Sequence, residues 1–471
     1  MGGVDWIYSR VTIGTLPEDV LLEIFEIYLG KDDPDKLDDD HNYDEWQTLV
    51  HVCRRWRFIV FASPRRLNLK LYCTRRRLVN SRTLDVWPTL PIVVFSRDLP
   101  SNEDVTNVIA ALRHHNRVCR IHFSIQFQDF LLEEFAAIDE PFPELTSLVL
   151  ISSFQNAPVL PDSFLGGSAP LLRSLYLAGI PCPSIGTLLS STTNLVRLSL
   201  RHIPLSGYIS PEAIVPCLSM LTRLKSLSLG FQYSRSRAQR ANRHPPPLTH
   251  VVFPNLTRLR FCGDIEYLEG VLSQIETPML HYSDFHFFNQ LVFNTPLLRQ
   301  FICRTETFMT ISRARVRFWD GSFRLVGVQE TTDGTRVVLD LKISCKALDW
   351  QLSAVAQVSN LFLSSLPALE TLEIILSNED YQSEIEAIQW RDFLHPFTSV
   401  KTMSLQLESV DLIRHIAPAL QEFARERSTL PALKTLFLSG PSSRPSRSLK
   451  EAIEQFIATR QSYGQPITVH Y

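Results

Sequence analysis

The sequence lacks several features that define common protein classes. Glycine is scarce, with 17 residues in 471, against 29 prolines and 66 leucines. This composition excludes collagen-like and low-complexity chains and favours packed repeats. Lys and Arg total 47 and Asp and Glu total 49, a formal net charge of −2, which argues against a surface built to bind nucleic acid. No apolar run reaches the roughly 18 residues that a membrane-spanning helix needs, so we expect no membrane partner.

The eight cysteines form no local pairs. The closest two, Cys53 and Cys73, lie 20 residues apart, which gives no support for a zinc ribbon or a redox pair. The first residues, MGGVDWIYSR, lack the apolar stretch of a secretory signal, and Trp6 stands where a myristoylation pattern needs Ser or Thr. We therefore expect a cytoplasmic or nuclear protein that is neither secreted nor membrane-spanning.

Motifs of the common enzyme classes are also absent. The sequence contains no GxSxG, Walker or GxGxxG motif. His281 and His286 are five residues apart with Asp284 between them, which matches no helical pair of metal ligands. We predict no catalytic residue, no metal and no cofactor. An unrecognised enzyme, which would need a deep pocket with converging titratable groups, stays an alternative.

Helical patterns occupy the first part of the chain. Thr15 and Glu18 have the spacing of a capping box, and the apolar residues that follow predict a helix over 16–29. Residues 31–45 hold eight acids and two lysines, which predicts a solvated loop. A second apolar helical pattern begins at Trp46. The first sixty residues therefore read as a small helical segment with an acidic connection.

From about residue 140 a leucine-rich phrase close to Pro-x-Leu-x-x-Leu-x-Leu recurs. The first leucines of five copies are 27, 23, 29 and 32 residues apart, in or just above the range of leucine-rich repeats. Copies lie at 143–150, 170–177, 193–200, 222–229, 254–261, 367–374, 399–407 and 431–438, with weaker ones at 277–280 and 295–302. On strands, pairs such as Leu175 with Leu177 and Leu198 with Leu200 are predicted to point into a shared core.

Two segments depart from the repeat. Residues 311–346 alternate like two strands around Thr332–Asp333–Gly334, which predicts an irregular repeat or an inserted hairpin. Near the end, Ser448 and Glu451 have capping-box spacing before an apolar helical face. This pattern predicts a C-terminal capping helix, which a stack of repeats needs.

The strand residues between the inward leucines are predicted to line the opposite face of the sheet. By alternation they are Ser174, Tyr176, Arg197, Ser199, Arg201, Arg258 and Arg260. The four arginines indicate an anionic target, such as an acidic or phosphorylated peptide. Solvated surface charge is the alternative. The candidate substrate contacts are therefore Tyr176, Arg197, Arg201, Arg258 and Arg260. A basic run at Arg235, Arg237, Arg240 and Arg243 is interpreted as a solvated loop, so no nucleic-acid partner is expected.

The N-terminal segment resembles an F-box. The matching residues are TLPEDVLLEIFEIYL at 15–29 and TLVHVCRRWRFIVFASP at 48–64. With the repeats, and with ISCKALDWQLSAVAQVSNLF at 343–362, the chain is similar to the F-box/leucine-rich-repeat proteins of mushroom-forming fungi. The expected fold is α/β: a helical F-box followed by an irregular leucine-rich-repeat solenoid, or horseshoe. Irregularity is expected because the Asn or Cys that usually follows each strand is replaced by Ile180, Ile203, Gln232 and Asp264.

This resemblance implies a role as the substrate-recognition adaptor of a Skp–cullin–F-box ubiquitin ligase, a non-catalytic subunit. Its F-box would dock on a Skp-type adaptor and, through it, a cullin, while the repeats bind an unknown protein substrate. The implied adaptor-binding residues are Leu16, Pro17, Val20, Leu21, Ile24, Phe25, Leu49, Val52, Cys53 and Trp56. Packing within the F-box core is the alternative role for these residues. An interaction scaffold without ligase recruitment is the alternative function.

The expected domains follow from these patterns. They are an N-terminal tail at 1–12, the F-box domain at 13–64 with its acidic loop at 31–45, the solenoid at 65–440 with the irregular hairpin near 311–346, and the capping helix and tail at 441–471.

Overall fold

A computed structural model describes most of the chain. The described residues are 12–30, 45–73, 90–97, 102–125, 129–153, 157–233, 250–288, 295–319, 321–345, 348–362, 366, 368–377, 387–407, 429–440 and 447–470. The chain divides into an N-terminal unit, residues 1–150 and 163–172, and a C-terminal unit, residues 151–162 and 173–471. The tail before Thr12, the acidic loop before Glu45 and the basic run at 235–243 lie outside the described residues.

Three helices begin the N-terminal unit. They are α1 (Glu18–Leu29), α2 (Glu45–Val52) and α3 (Arg54–Ala62), after a 3-10 turn at Ile13–Thr15. The predicted capping box is wrong, because Pro17 occupies the N-cap position and the Thr15 hydroxyl donates instead to the Thr12 carbonyl at 2.8 Å. The apolar pattern from Trp46 forms two helices rather than one. They separate at Cys53, whose Sγ accepts the backbone N–H of Trp56 at 3.4 Å.

Strands and helices alternate through the rest of the N-terminal unit. They are β1 (Leu71–Cys73), β2 (Ile92–Arg97), α4 (Asn102–Leu112), β3 (Val118–Ile125), α5 (Asp129–Ala136) and β4 (Ser147–Ser152), which ends at the start of the other unit. The strand order is β1-β2-β3-β4, and β2 is parallel to both β1 and β3. Parallel neighbours need a crossover, which α4 supplies between β2 and β3. Phe135 of α5 packs edge-on against the rings of Phe123, Phe142 and Phe164 in the core.

The C-terminal unit repeats the same alternation over a longer stretch. Its first elements are β5 (Ser174–Ala178), α6 (Ile185–Ser191), β6 (Arg197–Ile203), α7 (Pro211–Leu218), β7 (Ser226–Phe231), β8 (Val251–Val252), β9 (Arg258–Gly263), α8 (Ile265–Leu272), β10 (Ile275–Glu276), β11 (Tyr282–Phe287), α9 (Pro296–Arg304) and α10 (Glu306–Met309). The later elements are β12 (Arg313–Trp319), β13 (Ser322–Thr331), β14 (Gly334–Ser344), α11 (Leu348–Phe362), β15 (Thr371–Leu376), α12 (Ala387–Leu394), β16 (Thr402–Leu407), β17 (Thr435–Ser439), α13 (Arg447–Ser462) and β18 (Thr468–His470).

The main sheet of this unit has the order β5-β6-β7-β9-β11-β14-β13-β12-β15-β16-β17-β18, and β8 and β10 form a separate parallel pair. The repeated leucines lie on one face of it, as predicted: Leu175, Leu177, Leu198 and Leu200 are each at most 4% exposed. The register aligns Leu175 with Leu198 and, through β7, with the leucines of later strands. Burial of one leucine is worth roughly 1.5–3 kcal/mol. Stacked repeats therefore form a core that no single repeat could enclose.

Residues 311–346 contain three strands, one more than predicted. The predicted turn is correct, because β13 and β14 pair antiparallel around Thr332 and Asp333. The additional strand, β12, pairs antiparallel with β13. Two reversals restore the strand direction, so β14 runs parallel to β11 and β12 runs parallel to β15. The inserted strands therefore continue the parallel sheet.

Two other repeat-based predictions need correction. The weak copy at 295–302 forms the helix α9, in which Pro296 takes the first position, where its missing N–H is harmless. The C-terminal helix begins at Arg447, so Ser448 lies inside the helix rather than at its cap. Its apolar face is nevertheless buried at Ile453 and Phe456.

Candidate functional site

Helix α1 has apolar side chains on two faces. Leu21, Leu22 and Phe25 are buried, with at most 7% of their surface exposed. Val20, Ile24 and Ile27 are 39%, 37% and 81% exposed. These three recur at positions i, i+4 and i+7, so they share a second face of the helix. We call Val20, Ile24 and Ile27 the α1 stripe. Exposed apolar surface of this kind is typical of a site that binds another protein.

Helix α3 lines an apolar groove. The groove has a volume of about 420 Å³ and is lined by Arg54, Arg57, Phe58, Phe61 and Ala62. The ring of Phe58 is 68% exposed. The ring of Phe61 lies 6.1 Å from that of Trp46, whose Nε1–H donates to the Lys70 carbonyl. The groove thus combines an apolar floor with two arginines.

Arginines and an aromatic contact hold the three helices together. The Arg55 guanidinium donates to the carbonyl oxygens of Gly14 and, at 2.6 Å, Leu16, which anchors the segment before α1. Phe25 of α1 meets Trp56 of α3 edge to face, with ring centroids 4.8 Å apart. These contacts fix the helices relative to each other, so that the α1 stripe is presented on a packed scaffold.

The F-box resemblance assigned ten residues to adaptor binding, and these residues differ in how deeply they are buried. Leu21, Phe25 and Leu49 are buried, Leu16 and Trp56 are half-buried, and Pro17, Val20, Ile24, Val52 and Cys53 are exposed. The buried members build the helical core, and the exposed members are the ones available to a partner. Sequence reasoning missed Ile27 and Phe58. A helical wheel could have found Ile27, because it lies seven residues after Val20 on the same face.

A second surface lies on the sheet of the C-terminal unit, on the face opposite the leucines. The register aligns Tyr176, Ser199, Ser228 and Arg260 across β5, β6, β7 and β9. Arg201 donates from Nε to the Ser228 hydroxyl at 3.3 Å. Alternation along the strands therefore predicted the correct face of the sheet for these residues.

Four of the five predicted contacts fall into two rows on this face, and Arg201 lies in a third row beside Ala178. Arg197 and Arg258 share one row, both aligned with Ser226, and both are exposed. Tyr176 and Arg260 share the next row, where each contributes to a cation–π pair. The guanidinium of Arg201 lies 5.7 Å from the centre of the Tyr176 ring, and that of Arg260 lies 5.6 Å from the Tyr282 ring.

Carboxylates that sequence reasoning did not assign lie beside these arginines. Asp284 Oδ2 is 3.6 Å from Arg260 Nε. Asp340 of β14 accepts a bidentate pair of hydrogen bonds from Arg324 of β13. Burial, followed by repulsion from Asp340, raises the pKa of Asp284. No local signal reveals these contacts, because the sheet order alone brings the inserted strands next to β11.

His286 joins three strands through hydrogen bonds. Its Nδ1 lies 3.4 Å from Cys262 Sγ, and its Nε2 lies 2.9 Å from Ser344 Oγ. Burial raises the pKa of the Cys262 thiol to about 11, and burial together with Lys342 lowers the pKa of His286 to about 4. A nucleophilic cysteine needs a lowered pKa beside an imidazolium. This pair is neutral on both sides and therefore serves as a link between strands.

Within the described ranges, no group of three His, Cys, Asp or Glu side chains is placed to hold a metal ion. Over the same part of the chain, no helix combines the length and the apolar character needed to cross a membrane.

The chain was compared with protein families, curated proteins and solved structures. No family model matches the chain, and no curated protein matches it. Among solved structures, the chain is similar to the crystal structure of a TLR13–ssRNA13 complex, with a TM-score of 0.31 and 13% sequence identity. The alignment covers 78% of this chain and 45% of that one, so the chain spans less than half the length of that protein.

Proposed function

We propose that the protein is a non-catalytic substrate receptor of a Skp–cullin–F-box ubiquitin ligase. The helices α1 to α3 would dock on a Skp-type adaptor, and the sheet face of the C-terminal unit would bind the target protein. The resemblance of residues 15–29 and 48–64 to an F-box supports this assignment. Such a receptor needs no catalytic residue, because it acts by raising the local concentration of its target near the ligase.

The α1 stripe is the observation that carries the proposal. The opposite face of α1 packs in the core, whereas Val20, Ile24 and Ile27 keep 39%, 37% and 81% of their surface exposed in the described part of this unit. Full burial of such side chains contributes roughly 1.5–3 kcal/mol each. With Phe58 in the α3 groove they are 37–81% exposed, so burying what remains exposed offers a gross gain of about 3–7 kcal/mol. Further contacts with the adaptor must add to that gain, because association itself costs about 4–15 kcal/mol.

The test is a pull-down of the purified full chain with a fungal Skp-type adaptor. The variant Ile24→Glu with Ile27→Glu places two charges in the α1 stripe without touching the buried face. The matched control is Leu205→Glu with Met220→Glu, two exposed apolar residues of the C-terminal unit that are 55% and 56% exposed. We expect the parent and the control to be captured, and the stripe variant to lose capture with an unchanged unfolding midpoint.

Failure of the folded parent to bind the adaptor would contradict the ligase assignment and leave a repeat-based interaction scaffold without ligase recruitment as the function. Equal capture of the parent and the stripe variant would instead reject the α1 stripe as the docking surface.

A further inference from the structure

Positive charge is distributed unequally along the C-terminal sheet face. This distribution indicates which class of target the proposed receptor binds. Strands β5, β6, β7 and β9 contain no acidic residue. Strands β11, β14 and β15 carry Asp284, Asp340 and Glu373. Most arginines near those carboxylates form ion pairs: Arg324 with Asp340, and Arg313 and Arg315 with Glu373. Among the described residues Arg201 and Arg258 form no ion pair, so positive charge remains toward β6 and β9.

Two arginines at that end are held in place by aromatic rings. Arg201 lies over Tyr176, and Arg260 lies over Tyr282. Ser199 and Ser228 occupy the register row that joins Tyr176 to Arg260. Stacking on a ring restrains a guanidinium while its outer N–H groups stay available to an acceptor. The two guanidinium groups are therefore positioned before any ligand arrives.

We call Tyr176, Ser199, Arg201, Ser228 and Arg260 the arginine cluster. Its side chains use only part of their hydrogen-bonding capacity. The only side-chain hydrogen bond of Arg201 to a described residue is the one from its Nε to the Ser228 hydroxyl. The Nε of Arg260 and the Oγ of Ser199 have no hydrogen-bond partner among the described residues, but both atoms are buried and so are not open to a ligand. Asp284 approaches Arg260 Nε at 3.6 Å, which is beyond hydrogen-bond distance. The donors that remain for a ligand are therefore the outer N–H groups of Arg201 and Arg260, beside the carboxylate of Asp284.

A phosphate group supplies acceptor oxygens for these N–H groups. It carries close to two negative charges and three acceptor oxygens, and arginine pairs bind it with bidentate geometry. We propose that Arg201 and Arg260, through their outer N–H groups, bind a phosphorylated side chain of the target protein. This inference rests on the proposed target-binding role of the sheet face. It assigns that target to the class of phosphoproteins.

The charge pattern favours a single phosphate over a nucleic acid. A polynucleotide lying along the face would bring a row of phosphates past Asp284, Asp340 and Glu373, which repel them. Nucleic-acid sites instead gain affinity by neutralising many phosphates in succession. One phosphorylated side chain occupies only the end of the face between β6 and β9, where carboxylates are absent from the strands.

The test measures binding of a fluorescent peptide mixture with one fixed phosphoserine and randomised flanks. Parallel arms use the same mixture with serine, the same mixture with glutamate, and a single-stranded RNA oligonucleotide. We expect saturable binding of the phosphoserine mixture that inorganic phosphate competes away. Arg201→Ala with Arg260→Ala should weaken that binding by about tenfold or more. Arg201→Lys with Arg260→Lys keeps the charge but loses the bidentate geometry, so it should also bind more weakly than the parent.

The matched control is Arg299→Ala with Arg304→Ala, which removes two exposed charges from helix α9 and should leave binding unchanged. Equal binding of the serine and phosphoserine mixtures, full binding by the alanine variant, or binding of RNA alone would overturn the proposal. Adaptor capture is measured on the same preparations. Capture without phosphopeptide binding rejects only the phosphate site, and phosphopeptide binding without capture rejects only the ligase assignment.

Discussion

The carboxylate of Glu269 on α8 caps the following helix by accepting the backbone N–H of Leu298 at 2.7 Å. It also accepts the N–H of Leu297 at 3.1 Å, so one side chain satisfies two amides in the first turn of α9. We expect Glu269→Ala to lower the free energy of unfolding by about 1–3 kcal/mol, because both amides lose their partner. Urea unfolding measures this change. Glu276→Ala, at an exposed position on β10, is the control, and an equal midpoint for both variants would contradict the capping role.

A buried arginine tethers the C-terminal helix. Arg460 is 1% exposed and donates to the carbonyls of Thr429 at 3.3 Å and Leu430 at 2.7 Å. Leu430 has a φ of +50°, a left-handed backbone that side-chain-bearing residues rarely adopt without support. We expect Arg460→Lys to lower the free energy of unfolding by about 1–3 kcal/mol, because an ammonium cannot reach both carbonyls in the guanidinium geometry. Thermal unfolding tests this, and a lysine variant as stable as the parent would show that charge alone suffices.

The parts of the fold that could be predicted from the sequence are those that depend on local signals. Alternation of leucines along β5 and β6 is local, so Leu175 and Leu198 were placed on the correct face. The segment 295–302 carries a similar run of apolar residues, and short apolar runs do not distinguish strand from helix. What favours the helix there is Glu269, which lies 28 and 29 residues before the two amides that it accepts. Propensity within the segment could not have shown that contact.

The same distinction applies to the candidate site. Tyr176, Arg201 and Arg260 follow from strand alternation, and the structure places them on the sheet face. Their partners do not follow from it. Asp284 lies on β11, and Asp340 becomes its neighbour only because the inserted strands enter the sheet in the order β14-β13-β12. Such pairing across strands depends on topology that no single segment encodes.

Stability should depend on pH through His286. Its pKa in the folded protein is about 4, against 6.5 in the unfolded chain, because burial and Lys342 disfavour the imidazolium. Between these values the unfolded chain binds more protons, so the contribution of this group to stability falls as pH decreases from 6.5 toward 4. Above pH 6.5 that contribution is complete.

The measurement compares the parent with His286→Gln by urea unfolding at pH 7 and pH 4.5. Glutamine does not titrate, so the variant should lose less stability on acidification than the parent does. The variant removes the hydrogen bonds of the imidazole at both pH values, so only the change of the difference with pH reports the titration. A difference between the two proteins that is the same at both pH values would contradict a lowered pKa for His286.

Asp284 is expected to oppose phosphate binding at the proposed site. Its carboxylate lies 3.6 Å from Arg260 Nε, so it competes with a phosphate for the same guanidinium and repels the bound anion. Two unit charges about 4 Å apart interact by about 1 kcal/mol even in water. We therefore expect Asp284→Asn to bind the phosphoserine peptide mixture several-fold more tightly than the parent, with the gain shrinking at high salt. The control is Glu330→Gln, which removes one carboxylate paired with Arg313 at the far end of β13. Weaker binding by Asp284→Asn would mean that the carboxylate orients Arg260 for the ligand rather than competing with it, and the tyrosine rings would then be insufficient to hold the guanidinium groups in place.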